Sequence, residues 1–150
     1  QRQMCIRDSL QPALEEIART HEFLKLHSTM EQDQLAQHLA TCHLGLLPMP
    51  DRRVWRLASP LKRSEYLASG LAVFGIAHEG HALDGVDPAW FTLVPQEDFH
   101  IDGLKFIRAQ MSDFDKASEK SRVYAAAHLS WEPSVESFLE KLRDVLQSDS

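Results

Sequence analysis

The sequence predicts an α/β layered domain built on a parallel sheet. Apolar residues at helical spacing alternate along the chain with short strand-like runs, and the connections between them are short. The run His43-Leu-Gly-Leu-Leu47 is almost continuously apolar, as a strand covered on both faces must be.

Leu10, Ala13, Leu14, Ile17 and Ala18 recur at helical spacing, and Pro12 suits the first turn of that helix. Phe23 to His27 reads as a short strand. Thr29-Met-Glu-Gln32 is a capping box opening a helix that carries Leu35, Leu39 and Cys42 on one face. The strand His43–Leu47 follows and is stopped by Pro48 and Pro50. An irregular loop, Met49 to Ala58, carries Arg52, Arg53, Trp55 and Arg56. Ser59 then caps a helix with Pro60 in its first position and Gly70 in the left-handed position past its end. Leu71 to Ile76 is the next strand, a Gly/His-rich loop runs from Ala77 to Asp87, and Trp90 to Val94 is the last strand. Helices fill the rest, over 98–111, 113–128 and 133–147. The last places Val135, Phe138, Leu139, Leu142 and Leu146 on one face, which must dock on something apolar.

A chain of 150 residues, 43% hydrophobic and 25% charged, is long enough for one globular domain with a sizeable core. No internal repeat, low-complexity tract or linker divides it. No apolar stretch approaches the length of a bilayer crossing. Lys and Arg number 16 against 22 Asp and Glu, and the net charge of −6 argues against a general nucleic-acid binder. Only Cys5 and Cys42 are available for disulfides, so a reducing, cytoplasmic setting is the simplest reading. Gln1 to Ser9 shows no apolar period or cap logic and resembles translated sequencing-adapter sequence, so it is set aside as non-native. The expectation is that 10–150 form part of a domain whose protein begins upstream of Leu10.

In an open parallel sheet, ligands bind beyond the carboxyl ends of the strands, where loops lead into helix N-termini. The strand ending at Leu47, its arginine-rich loop and the helix opening at Ser59 make such a place. Unpaired N–H groups and the positive end of the helix dipole there favour a phosphate. Lys62 in the same turn adds a point charge, and Glu65, adjacent to Leu61 and Lys62 in the helical net, can accept hydrogen bonds from hydroxyls. The plain alternative is an ordinary Ser-Pro helix start with a surface Lys62–Glu65 ion pair.

Leu44-Gly-Leu-Leu-Pro-Met-Pro50, Ser59-Pro-Leu-Lys-Arg-Ser-Glu-Tyr-Leu-Ala-Ser-Gly70 and Val73 together resemble the donor-site signature of retaining glycosyltransferases of family 4, which have the GT-B fold. Ser130-Trp131-Glu132 before an amphipathic helix is similar to that family's C-terminal segment. The resemblance covers nearly all of 10–147. It implies a Rossmann-like parallel sheet with flanking helices, the C-terminal half of a GT-B enzyme with a helical C-terminus. Only strands three to six of its 3-2-1-4-5-6 sheet can be placed. The implied strand at Phe23 to His27 then either pairs with the His43 strand or stays poorly anchored.

By the same resemblance the substrate is a UDP- or GDP-sugar, the transfer retains anomeric configuration, no cofactor is implied, and no metal is required if Lys62, an arginine and the helix N-terminus supply the positive charge. Ser59, Leu61 and Lys62 belong to the donor diphosphate shell, and Glu65 matches the glutamate that holds the donor ribose. The first glutamate of the family pair is replaced by Leu57, which puts the usual sugar contact in doubt. Arg52, Arg53 and Arg56 are further donor-binding candidates, with a solvated loop the favoured alternative for each. The implied partner is an N-terminal Rossmann domain of the same enzyme, and the full-length enzyme could sit peripherally on a membrane. Without that domain, the chain is expected to show no transfer on its own. The rival from another class is a non-catalytic Rossmann-like module that binds a nucleotide or a protein.

His78-Glu79-Gly80-His81, with Asp84 nearby, lacks the spacing of the helical zinc motif and reads as a loop beside the donor site, with His78 or His81 as binding candidates. Trp55 and Trp90 read as packing residues and Cys42 as a small core residue.

Overall fold

The computed structural model describes residues 6–58, 61–87, 89–110 and 112–148. The chain separates into two compact units, Gln1–Leu35 and Ala36–Ser150.

In the first unit, helix α1 runs from Ile6 to Thr20 with Pro12 inside it. It therefore starts within the segment set aside as non-native and carries Pro12 in its interior, where the missing N–H costs a helix bond. Thr20 Oγ1 donates to the Ile17 carbonyl at 3.0 Å, and the Leu24 N–H donates to His21 O at 3.0 Å. The expected strand over Phe23–His27 is absent. Residues 24–31 are irregular and Phe23 is 85% exposed. A strand needs a neighbour to pair its backbone groups, and among the described residues no strand pairs with this segment. Helix α2 spans Gln32–Leu39. Its capping contact lies two positions past the expected box, the Glu31 N–H donating to Gln34 Oε1 at 3.4 Å. Cys42 lies beyond the end of α2, half-buried.

The second unit holds an open, three-stranded, all-parallel sheet in the order β1-β2-β3. The strands are Leu44–Leu47, Ala72–Ile76 and Phe91–Val94. Register pairs Gly45 with Val73 and Phe74 with Thr92. Every residue of β2 is buried, which is why this run is apolar throughout. A Cβ on Gly45 would meet the Tyr66 ring of α4 (Leu61–Ala68), so that face of the sheet is covered by α4 and by α6 (Phe114–His128). Side chains alternate along a strand, and Phe74 points to the opposite face. There it packs on Phe99 and Phe106 of α5 (Phe99–Gln110), with ring centroids 5.2 Å and 5.4 Å away. Trp90 is buried against Phe91 and Tyr124, a packing role as expected.

Helix α4 ends in a full Schellman motif. Gly70 takes φ +83°, its N–H donates to Leu67 O at 3.0 Å, and the Leu71 N–H donates to Tyr66 O at 2.9 Å. The loop after β1 is not wholly irregular, because Arg53–Arg56 form a one-turn helix, α3. The last helix, α7, spans Trp131–Ser148. Val135, Phe138, Leu139, Leu142 and Leu146, expected to dock, are all exposed. Among the described residues no helix is long and apolar enough to cross a membrane. The architecture is a mixed α/β unit compatible with a Rossmann-like fold.

Candidate functional site at the carboxyl edge of the sheet

All three strands run the same way, so the loops after Leu47, Ile76 and Val94 leave from one edge. Four contacts tie those loops together. The Asp51 N–H donates to Gln96 Oε1 at 3.0 Å, linking the loop after β1 to the segment after β3. Arg56 meets Glu79 at 3.7 Å, linking the loops after β1 and β2. Gly80 lies so close to the backbone oxygens of Trp55 and Ala58 that a Cβ there would overlap the Trp55 oxygen and sit 2.8 Å from that of Ala58. Arg63, in the first turn of α4, donates through Nη1 to Gly80 O at 3.1 Å and to Ala82 O at 2.6 Å.

The rest of the loop after β2 is tied to α5 and α6. The Tyr124 hydroxyl donates to Asp84 O at 2.6 Å, Lys120 Nζ lies 3.1 Å from Asp87 Oδ2, and Gln110 Nε2 donates to the Ala89 carbonyl. The Ala89 N–H and Lys120 hold the Asp87 carboxyl below the usual range.

The expected site residues fall into separate settings. Ser59 lies outside the described residues. Leu61 and Lys62 are exposed at the start of α4, and Leu57 is 79% exposed just before it. Arg52 and Arg53 are exposed at the start of α3. Arg56 is engaged within its own loop, donating to the two Asp51 carboxylate oxygens at 2.5 Å and 2.8 Å. That pairing lowers the Asp51 carboxyl and raises Arg56. Glu65 is half-buried and lines a cleft of about 500 Å³ between α4 and α6, with Ser64, Arg122, Ala125, Leu129 and Ser130. The fold therefore brings Glu65 together with Ser130, the opening residue of the C-terminal Ser-Trp-Glu run.

His78 and His81 are both buried, their rings stacked with centroids 3.8 Å apart and planes at 33°. Among the described residues no group of three or more His, Cys, Asp and Glu is placed to hold a metal ion. Arg63 and Asp51 hold the edge together, yet neither stood out in the sequence. Arg63 sits beside Lys62 in a basic pair, and only the fold shows that it turns inward, where burial lowers its pKa.

The edge can present cations and the start of α4 on its outside while the loops behind are fixed by main-chain oxygens. The exposed Lys62 beside that helix start can meet a phosphate group. Compared with protein-family models, curated proteins and solved structures, the chain matches none.

Proposed function

We propose that this chain is the donor-binding part of a retaining GT-B glycosyltransferase that takes a UDP- or GDP-sugar. The single observation that carries the reading is the meeting of the loops after β1 and β2 against the first turn of α4, where Gly80 abuts Trp55 and Ala58 and Arg63 grips Gly80 and Ala82. Leu61 and Lys62 of the Ser-Pro-Leu-Lys run open that helix, and the parallel order of the sheet supports a ligand site at this edge.

On this reading, Lys62 and the α4 N-terminus face the donor diphosphate. Negative charge grows on the departing nucleoside diphosphate as the anomeric bond breaks, so fixed cations and N–H groups there favour the transition state over the ground state. Glu65 accepts hydrogen bonds from ribose hydroxyls at the mouth of the α4–α6 cleft. Exposed Leu57 offers the sugar no polar contact, and the sugar's orientation falls to other groups.

Titration of the chain with UDP- and GDP-sugars, followed by tryptophan fluorescence and calorimetry, tests the proposal. Saturable binding with a dissociation constant on the order of 1 mM is expected, weakened about tenfold or more by Lys62→Ala and by Glu65→Ala. No saturable binding by either donor class, or equal binding by both variants, would favour the non-catalytic module instead.

A further inference from the structure

We propose that the buried His78–His81 ring pair forms a proton-operated latch on residues 77–82, closed while the His81 imidazole is neutral and opened when His81 takes up a proton. The latch concerns the loop itself and needs no nucleotide sugar.

His81 is 0% exposed, and its Nδ1 lies 2.7 Å from the Ile76 carbonyl oxygen. A carbonyl only accepts, so Nδ1 carries the proton and Nε2 of the neutral ring is a lone pair. Nε2 of His81 and both ring nitrogens of His78 are buried and have no hydrogen-bond partner among the described residues. A proton added to either ring would create an N–H donor without an acceptor and a charge without water, the combination that buried polar groups tolerate least.

The surrounding charges add to this. From α4, the Arg63 guanidinium grips the same loop at Gly80 and Ala82. From α6, Tyr124 contributes only a hydroxyl, bonded to Asp84 O. The loop after β1 supplies Asp51, whose field reaches His78 but whose two oxygens are held by Arg56. Within the loop itself, Glu79 is exposed and leans toward Arg56 at 3.7 Å, and Asp84 is exposed. Burial is the main cause that depresses the His81 pKa, against the bond to the Ile76 carbonyl, and the neighbouring His78 and Arg63 lower it further.

Opening is local. The turn is closed by two N–H groups, of His81 and Ala82, donating to His78 O at 2.9 Å and 3.1 Å, together with the Arg63 grip. Once the His81 ring reaches water it regains an ordinary histidine pKa. The open loop therefore binds the proton more tightly than the closed one, and acid shifts the balance toward opening.

Amide hydrogen exchange of the full chain tests the latch at about pH 5.5 and about pH 7.5, either side of the ordinary histidine value. Rates are normalised to those of an unstructured peptide and compared with the β2 amides. Protection of the His81 and Ala82 amides should fall by up to about tenfold per pH unit on acidification while Phe74 and Gly75 keep theirs. His81→Gln should flatten that dependence. Equal protection of the loop amides at both pH values, or an unchanged pH dependence in both His81→Gln and His78→Gln, overturns the proposal. Should either variant fail to fold, the imidazole NMR titration of the wild-type chain decides. A His81 midpoint at or above the ordinary histidine value with the loop amides still protected also overturns it.

Discussion

The Ser121 hydroxyl, fully buried in α6, donates to the Leu71 carbonyl at the entrance to β2, 3.0 Å away. It shares its one proton with Ala117 O at 2.9 Å, so a single small side chain fastens α6 to the end of the α4–β2 turn. Ser121→Ala keeps the packing volume but leaves the Leu71 oxygen without this donor. The expected loss is about 1 kcal/mol, up to about 3 if no water replaces the hydroxyl. Urea unfolding followed by circular dichroism should show a lower midpoint with an unchanged slope.

Gly80 and Gly85 separate crowding from backbone strain. A Cβ on Gly80 would collide with the Trp55 and Ala58 backbone oxygens, and main chain cannot swing aside as a flexible side chain can. Gly85 takes φ +68° with nothing within 4 Å of the added carbon. Gly85→Ala should therefore cost only the left-handed penalty, roughly 1–2 kcal/mol. Gly80→Ala should cost a comparable 1–3 kcal/mol or so through overpacking, and, by displacing the Trp55 backbone, it should also change the native-state tryptophan fluorescence. Identical native-state spectra for the two variants would argue against loop-to-loop contact at Gly80.

Phe74, the aromatic of the central strand, is almost fully buried between Phe99 and Phe106 and faces Gly103 of α5. Phe74→Ala should destabilise the fold by about 3–5 kcal/mol, since the lost transfer energy and the cavity act together. Phe74→Leu, which retains most of the volume, should cost clearly less. Chemical denaturation of both variants measures the difference, and equal losses would mean that the α5 face of the sheet is loosely packed.

What the sequence disclosed and what it withheld divide along the range of the interactions involved. The starts and ends of β1, β2 and β3 were legible to within a residue because apolar runs and their proline and glycine stops are local. The Gly70 cap was legible for the same reason. Phe23–His27 had a strand's local pattern, but a strand exists only with a partner, and pairing is a long-range property. Pro12 and the first turn of α7 show the reverse case, in which a helix extends past the boundary that a residue type favours. At the candidate site, the motif singled out Lys62 and Glu65, and the fold sets the first exposed at the start of α4 and the second in the α4–α6 cleft. The engagement of Arg56 by Asp51, and of Arg63 by the Gly80 and Ala82 carbonyls, was not legible in the sequence. Arginine spacing carries no information about which oxygen the fold will bring within 3 Å or so.

Stability should fall with acid in two steps of different origin. His81 has a folded-state pKa depressed by burial, so the unfolded chain takes up a proton first. Its contribution is complete above the ordinary histidine value of 6.5 and is lost as pH falls below it toward the folded-state value. Asp51 and Asp87 are depressed chiefly by hydrogen bonds, from Arg56 and from the Ala89 N–H with Lys120. Their contribution is present above the ordinary aspartate value of 3.8 and is lost as pH falls through the lower folded values. Both carboxylates are at the surface, so added salt should shrink the second step and leave the first, which arises in a buried site, nearly intact. Urea midpoints measured across this range, at low and high salt, check both steps. His81→Gln should erase the first and spare the second, whereas Asp51→Asn should diminish only the second. A single salt-sensitive step near the aspartate range would show that His81 titrates alike in the folded and unfolded chain.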